Sequence, residues 1–227
     1  MDYKKLFHKE EAFQRETFQK RMEEFGFKNM ARMELFLWDL ELFLHIQKIL
    51  GDKIILKGGA ATQFYLPRDA QRTSVDIDML FFGTEEEIKE TLRKIEEYLG
   101  TEDELFYFHK HSPKNPKTNL PLHTYYMKVP SVLSNAERNM DRESIPYQEL
   151  KIEFILQPEK WEYERRTGEN IFAVNSSWNY QILPLNYLFA DKLTTLGCNT
   201  IGVQNERLDE QVKQFYDIMM LSRNCIS

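Results

Sequence analysis

The chain opens on two stretches of helical periodicity. Phe13, Phe18, Met22 and Phe25 form the apolar stripe of a mostly charged first helix, and Gly26 stops it. In a second helix Leu35, Phe36, Leu42, Phe43, Ile46 and Leu50 recur at helical spacing, with Gly51 placed to end it. Beyond Gly51 the texture shortens. Residues 53–56 are an apolar run of strand length, Gly58-Gly59 follows at once, and residues 60–65 favour helix until Pro67-Arg68-Asp69 breaks it. Residues 74–82 alternate in their first half and become wholly apolar in their second, the pattern of a strand entering a core. Residues 85–99 form a well-marked helix: Thr84 can cap it, acids fill its first turn, and Gly100 follows it.

Residues 105–109 and 122–130 read as two strands of a hairpin around the Pro-containing segment 112–117, and the polar stretch 131–147 reads as loop. Residues 149–156 alternate again, with Lys151, Glu153 and Ile155 on one face and Leu150, Ile152, Phe154 and Leu156 on the other. Helices at about residues 186–197 and 204–223 close the chain. This order predicts a sheet with helices on one or both faces. Its expected parts are an N-terminal helical segment over 1–51, an α/β core over 52–182 and a C-terminal helical part over 183–227.

Composition narrows the classes. With 227 residues, 42% hydrophobic and 29% charged, the chain can bury a sizeable core, which excludes wholesale disorder. Its 30 Lys+Arg against 36 Asp+Glu give a net charge of −6, which excludes a globally basic nucleic-acid binder but not a local basic patch. Only two cysteines occur, Cys198 and Cys225, as suits a reducing compartment. The first ten residues are charged and polar, with no apolar leader behind them. No stretch reaches the roughly eighteen apolar residues of a membrane span; residues 35–44 come nearest and carry Asp39 and Glu41. A cytoplasmic protein without membrane contact is expected.

The informative segment is 57–78. Two glycines between a strand and a helix let backbone N–H groups approach an anion, although such a pair also serves as a plain tight turn. Asp76 and Asp78 sit at i and i+2 of a strand, so both carboxylates project from one face. They are either a solvated strand face or a site for Mg²⁺, which favours one or two carboxylates together with substrate phosphates. Glu153 is a third acid in an alternating strand; if that strand lies beside the Asp76 strand, three carboxylates line one site. Residues 108–128 form a basic island with four lysines, three of the five histidines and no acid. With Tyr125 and Tyr126 it is either an RNA approach with a stacking surface or a hairpin kept soluble by lysines.

Lys57-Gly58-Gly59-Ala60-Ala61, followed by Arg72-Thr73-Ser74-Val75-Asp76-Ile77-Asp78, resembles the nucleotidyltransferases of the AbiEii/AbiGii toxin type, within the DNA polymerase β-like superfamily. The tail is similar too: Leu188-Phe189-Ala190-Asp191-Lys192-Leu193 resembles the family's lysine-bearing helix, and Lys213-Gln214-Phe215-Tyr216-Asp217-Ile218 its closing segment. Ala60 stands where a hydroxyl residue is common and Lys213 where arginine is usual, which removes one phosphate contact and a bidentate one. The resemblance implies an α+β polymerase β-like fold with a mixed sheet flanked by helices. It implies transfer of a nucleoside monophosphate from an NTP to an acceptor, by the toxin of a toxin–antitoxin or phage-defence pair with a separately encoded antitoxin. Lys57, Gly58, Gly59, Arg72 and Ser74 would bind the nucleotide. Asp76, Asp78 and Glu153 would hold one or two Mg²⁺ ions, with Glu153 as ligand or base. Lys192 would meet a phosphate or orient the acceptor, and Asp217 would position Lys192 or the nucleotide. A tRNA 3′ end is the favoured acceptor, given the basic island; a protein hydroxyl or a small molecule is the alternative, as is a nucleotide-binding module that has lost its chemistry.

Overall fold

A computed structural model describes residues 2–101, 104–112, 121–138, 147–197 and 208–225. Its centre is the longest helix. Asn29 caps the helix through a hydrogen bond from the Arg32 N–H, and Gly51 ends it at a φ of 61°. Between them, Met30–Leu50 forms helix α2, whose 21 residues include thirteen that are buried. A helix apolar on nearly every side has to sit inside the molecule, and α2 shares one core with strands from the whole sheet. Helix α1 (Arg15–Phe25) precedes it and ends at Gly26, whose φ of 72° closes the turn.

Seven strands form one mixed sheet: β1 (Ile54–Lys57), β2 (Asp76–Phe81), β3 (Phe108–Lys110), β4 (Leu122–Pro130), β5 (Tyr147–Leu156), β6 (Glu164–Gly168) and β7 (Ser176–Ile182), in the order β3-β4-β5-β2-β1-β7-β6. Strand β2 runs parallel to β5 and antiparallel to β1, and β1 runs parallel to β7. Alternation along β2 buries Ile77, Met79 and Phe81 in the core shared with α2 and turns Asp76 and Asp78 to the other face. The expected hairpin pairs β3 with β4 antiparallel, and its tip lies outside the described residues.

Helices α3 (Gly58–Gln63), α4 (Glu85–Leu99), α5 (Leu185–Thr194) and α6 (Leu208–Cys225) complete the fold. Thr84 caps α4 in a full capping box with Glu87. A small second cluster of Leu66, Ala70 and Leu221, flanked by Leu185 and Phe189, fastens α5 and α6 to the segment after α3. No helix among the described residues is long and apolar enough to cross a membrane.

The periodicity missed β6 and β7. Strand β6 reads Glu-Arg-Arg-Thr-Gly and pairs only with β7 at the sheet edge, so nothing forces an apolar face on it. Strand β7 opens on Ser-Ser-Trp-Asn, with none of the four buried, and buries only Tyr180, Gln181 and Ile182.

Four polar side chains of α2 are buried: Glu34, Asp39, Glu41 and His45. Glu34 accepts from Ser131 Oγ at 2.6 Å and from the Val132 N–H at 2.9 Å. Glu41 gathers the N-terminal segment by accepting from the Phe7 and His8 N–H groups at 2.7 and 2.9 Å and pairing with His8 Nδ1 at 2.6 Å and His45 Nε2 at 2.9 Å. Trp178 on β7 donates to the Phe7 carbonyl at 2.7 Å, and Tyr180 Oη lies 3.2 Å from His8 Nε2. Among the described residues neither carboxylate oxygen of Asp39 has a hydrogen-bond partner.

Candidate active site

The register of β2 and β5 sets Asp76 opposite Lys151 and Asp78 opposite Glu153. Three carboxylates therefore share one patch of sheet, on the face away from Ile77 and Met79. Lys151 Nζ lies 2.8 Å from Glu153 Oε1, to which Thr124 on β4 also donates at 3.2 Å. Burial works against ionisation of Glu153, but Lys151 wins and holds it below the usual carboxylate range. Burial pushes Asp76 up, with Lys151 opposing. Asp78 is pushed up to about 7, by burial first and then by the Glu153 charge, with a hydrogen bond between the two carboxyls. Of the two, Glu153 gives up its proton more readily and Asp78 holds one to higher pH.

Gly58 and Gly59 make room for this patch. Gly58 has a φ of 68°, and a Cβ there would fall 2.1 Å from Asp78 Oδ2; a Cβ on Gly59 would fall 2.9 Å from Ser74 Oγ and 3.0 Å from Arg72 Nη2. The two glycines let the first turn of α3 press against the acid strand and the residues leading into it. Lys57 stands opposite Asp78 in the β1–β2 register, yet its ammonium reaches Asp191 Oδ1 on α5 at 2.6 Å. Ser74 is buried before β2, its hydroxyl 3.4 Å from the Asp76 carbonyl.

Asp217 on α6 is fully buried and organises the cations. It accepts from Arg72 Nε at 2.7 Å and Nη2 at 2.6 Å, and lies 2.8 Å from Lys192 Nζ. Burial opposes its ionisation, but Arg72 and Lys192 outweigh that and hold it below the usual range. Lys192 also donates to Gln214 at 2.9 Å. Gln63 on α3 accepts from the Arg72 N–H at 2.8 Å and so fixes the start of the loop. Asp217 lines neither of the two cavities that meet here; it acts through Arg72 and Lys192.

Two cavities meet at these residues, sharing Asp78 and Lys192. The first, about 450 Å³, is polar, with Asp76, Asp78 and Glu153 beside Arg72, Lys151, Lys192 and Lys213. Arg32, from the first turn of α2, also reaches it. The second, about 540 Å³, lies between the sheet and α5 and is lined by Lys57, Gly58 and a set of apolar and aromatic side chains.

A chain that presses a Gly-Gly turn against two strand carboxylates, with a third acid on the neighbouring strand, fits the family model described as the nucleotidyl transferase AbiEii toxin of type IV toxin–antitoxin systems, over residues 42–227. The chain belongs to the AbiEii nucleotidyltransferase family. A search of curated proteins gives no match. Among solved structures, JHP933 from Helicobacter pylori is similar at 14% identity and a TM-score of 0.50, covering 96% of this chain and 68% of that one. A candidate nucleotidyltransferase from H. pylori is similar at 17% identity and a TM-score of 0.52, covering 85% of this chain and 70% of that one. At those identities the likeness concerns the fold, and the mixed seven-stranded sheet with its helices is the nucleotidyltransferase fold.

The AbiEii site bears on the expected metal. Among the described residues no group of three His, Cys, Asp or Glu side chains is gathered closely enough to cage an ion by itself. Mg²⁺ does not need such a cage, because it is ordinarily held by one or two carboxylates with waters and substrate phosphates. The all-oxygen donors of Asp76 and Asp78 suit it, and Asp78, raised by burial first and by the Glu153 charge second, is a carboxyl whose ionised form a divalent cation would favour.

The structure brings every sequence-derived candidate to one region, although Lys57 and Asp217 serve neighbours there. It also removes one suggestion: Tyr125 is 4% exposed and packs edge-on to Phe154, because the alternation of β4 turns it inward, so it cannot stack a base. Two lysines of the basic island, Lys110 and Lys128, are paired with Glu85 and Glu104, and Lys114 and Lys117 lie outside the described residues. Sequence reading passed over Arg32, which belongs to no motif. It also passed over Asp39, whose signal was an acid inside an apolar helix.

Proposed function

We propose that this AbiEii-family chain transfers a nucleoside monophosphate from an NTP to an acceptor hydroxyl, releasing pyrophosphate, with a tRNA 3′ end as the favoured acceptor. The observation that carries the proposal is the adjacent register of Asp78 and Glu153 in a cavity walled by Arg72, Lys151, Lys192 and Lys213. Phosphoryl transfer asks the protein mainly for positioning and for positive charge around the phosphate oxygens. Arg72 and Lys192, fixed by Asp217, present that charge, and Ser74 and the Gly58-Gly59 turn bound the space where the phosphates would sit. Asp76 and Asp78 would hold Mg²⁺, with Glu153 as a third ligand or as base. When bound, the ion neutralises phosphate charge and activates the attacking hydroxyl.

As base, Glu153 is ionised and partnered by Lys151, and it takes the proton of the acceptor hydroxyl. The acceptor oxygen bonds to the α-phosphorus, the bond from that phosphorus to the bridging oxygen breaks, and pyrophosphate carries away the electron pair. The family's place in toxin–antitoxin systems supports a separately encoded antitoxin as partner, and tRNA is favoured by Arg32 and Lys213 at the polar cavity, which form no ion pair among the described residues.

The test supplies purified protein with Mg²⁺, each of the four α-labelled NTPs in turn, and total cellular RNA and protein. Label should enter the tRNA fraction with one NTP preferred, and Asp76→Ala should abolish it. Label in protein alone would replace the acceptor. Transfer undiminished in Asp76→Ala, or no transfer at all, would sink the reading.

A further inference from the structure

Strands β2 and β5 change chemistry within one repeat. Two residues beyond the Asp78–Glu153 pair, on the same face, the register pairs Leu80 with Ile155. That step moves about 7 Å along the strands, from carboxylates to aliphatic side chains, and the distance is that spanned by a ribose. Leu80 and Ile155 floor the second cavity; Leu183 and the aromatic rings of Trp161 and Tyr187 wall it. The rings meet edge to face with centroids 5.4 Å apart, and Tyr187 is 42% exposed. Gln157, which also lines this space, hydrogen-bonds through its backbone N–H to the Phe81 carbonyl at 2.8 Å. Its side-chain carboxamide has no hydrogen-bond partner among the described residues.

A cavity with mostly apolar surface that also offers the free amide of Gln157 suits a planar heterocycle that carries donors and acceptors on its rim. A phosphate chain is better served by the first cavity, where Arg72, Lys151, Lys192 and Lys213 gather beside the acids; at this one Lys57 is engaged with Asp191. We propose that this cavity binds the nucleobase of the NTP, stacked against Trp161 and Tyr187 with Gln157 reading its edge. The inference rests on the reading of the chain as an NTP-using nucleotidyltransferase.

The occupant follows from which groups line which side. Glu153, placed to receive the acceptor's proton, borders only the first cavity, as do Lys151 and Arg32. Arg32 and Lys213 form no ion pair among the described residues and offer charge to an acceptor backbone. An acceptor entering there leaves the Gly58 side, which begins at Asp78 and Lys192, to the nucleoside.

Three tryptophans occur, Trp38, Trp161 and Trp178, so emission can be assigned by difference. Wild type and Trp161→Phe are titrated with each of the four Mg·NTPs and with inorganic tripolyphosphate, by fluorescence and by calorimetry. NTPs should quench wild-type emission and leave Trp161→Phe largely unquenched, while tripolyphosphate binds both proteins without quenching. Trp161→Ala should weaken NTP binding by roughly 10- to 100-fold, the worth of one base–aromatic stack, and leave tripolyphosphate binding unchanged. Gln157→Ala should narrow the spread of affinities among the four NTPs. NTP binding with equal affinity in wild type and Trp161→Ala, without quenching, would place the base elsewhere and leave the nucleotidyltransferase reading standing. Quenching by a short single-stranded RNA but by no NTP would assign the slot to the acceptor and overturn the proposal. Failure of both NTPs and tripolyphosphate to bind would remove the nucleotidyltransferase reading, and this inference with it.

Discussion

Arg72 grips Asp217 through two near-parallel hydrogen bonds, Nε to Oδ1 at 2.7 Å and Nη2 to Oδ2 at 2.6 Å, and so ties the loop entering the acid strand to helix α6. The same carboxylate holds Lys192, which makes one buried anion responsible for two cations from separate elements. Removing it in Asp217→Ala leaves both cations unpaired. Chemical denaturation should show a loss of about 3–5 kcal/mol, and label transfer should fall by at least tenfold. Asp217→Asn keeps the shape and some of the hydrogen bonds, so it should lose less stability. Equal stability of Asp217→Ala and wild type would refute the role given to this residue.

Gly58→Ala tests the close approach of α3 to the acids. Its methyl group would overlap the Asp78 carboxylate at 2.1 Å, on a backbone whose φ of 68° already disfavours a side chain. Gly59→Ala meets only side-chain ends, at 2.9 and 3.0 Å. Transfer should drop on the order of 100-fold or more in the first variant and far less in the second, with circular dichroism confirming that both fold. A ranking in the reverse order would remove the steric explanation.

Much of this site was legible in the chain because its signals are local. Asp76 and Asp78 declare a shared face by spacing alone, Glu153 sits in a clean alternation, and Thr84 and Gly100 bracket α4 as capping chemistry requires. What stayed hidden depends on pairing over long separations. No local rule shows that β7 lies parallel to β1, or that an edge strand as charged as β6 completes the sheet. Asp217 is reached through the family resemblance alone; its spacing reads as one more helix charge, and only the packing of α6 shows it with no exposure left against Arg72.

Arg32 lies outside the segment matched by the family model, yet it enters the polar cavity from α2. If an RNA backbone passes there, Arg32→Ala should raise the KM for RNA several-fold with kcat nearly unchanged, and should reduce the slope of log affinity against log salt by about 1. Unchanged KM and slope would exclude the contact.

The N-terminal anchor gives a pH signature. Burial alone would raise the Glu41 pKa, but the hydrogen bonds from His45 and His8 bring it down to about 2. A depressed carboxylate contributes stability that is present above its unfolded value near 4.5 and lost as the pH falls toward 2. A drop from 4.5 to about 2 corresponds to about 3 kcal/mol. Urea melts from pH 6 to pH 2.5 should show the decline in wild type, with Glu41→Gln flatter across the same window. Parallel curves for the two proteins would count against it.

Asp39 carries the opposite sign. Burial, followed by the charges of Asp76 and Asp78, raises it well above the usual carboxylate value. Such a group is most favourable to folding below its unfolded pKa, and that advantage is lost as the pH rises through the folded one. Asp39→Asn should therefore gain on wild type in thermal melts as the pH climbs from 4 to 8. A difference independent of pH would show that folding does not raise the Asp39 pKa.

The clasp of Phe7 and His8 by Glu41, Trp178 and Tyr180 has a consequence for the order of events during synthesis. Phe7 and His8 are translated more than 170 positions ahead of two of their partners. Helix α2 can offer Glu41 early, but the clasp stays open until β7 has been translated and has joined β1. The segment around Phe7 and His8 therefore settles late, and its docking reports that the far side of the sheet is in place.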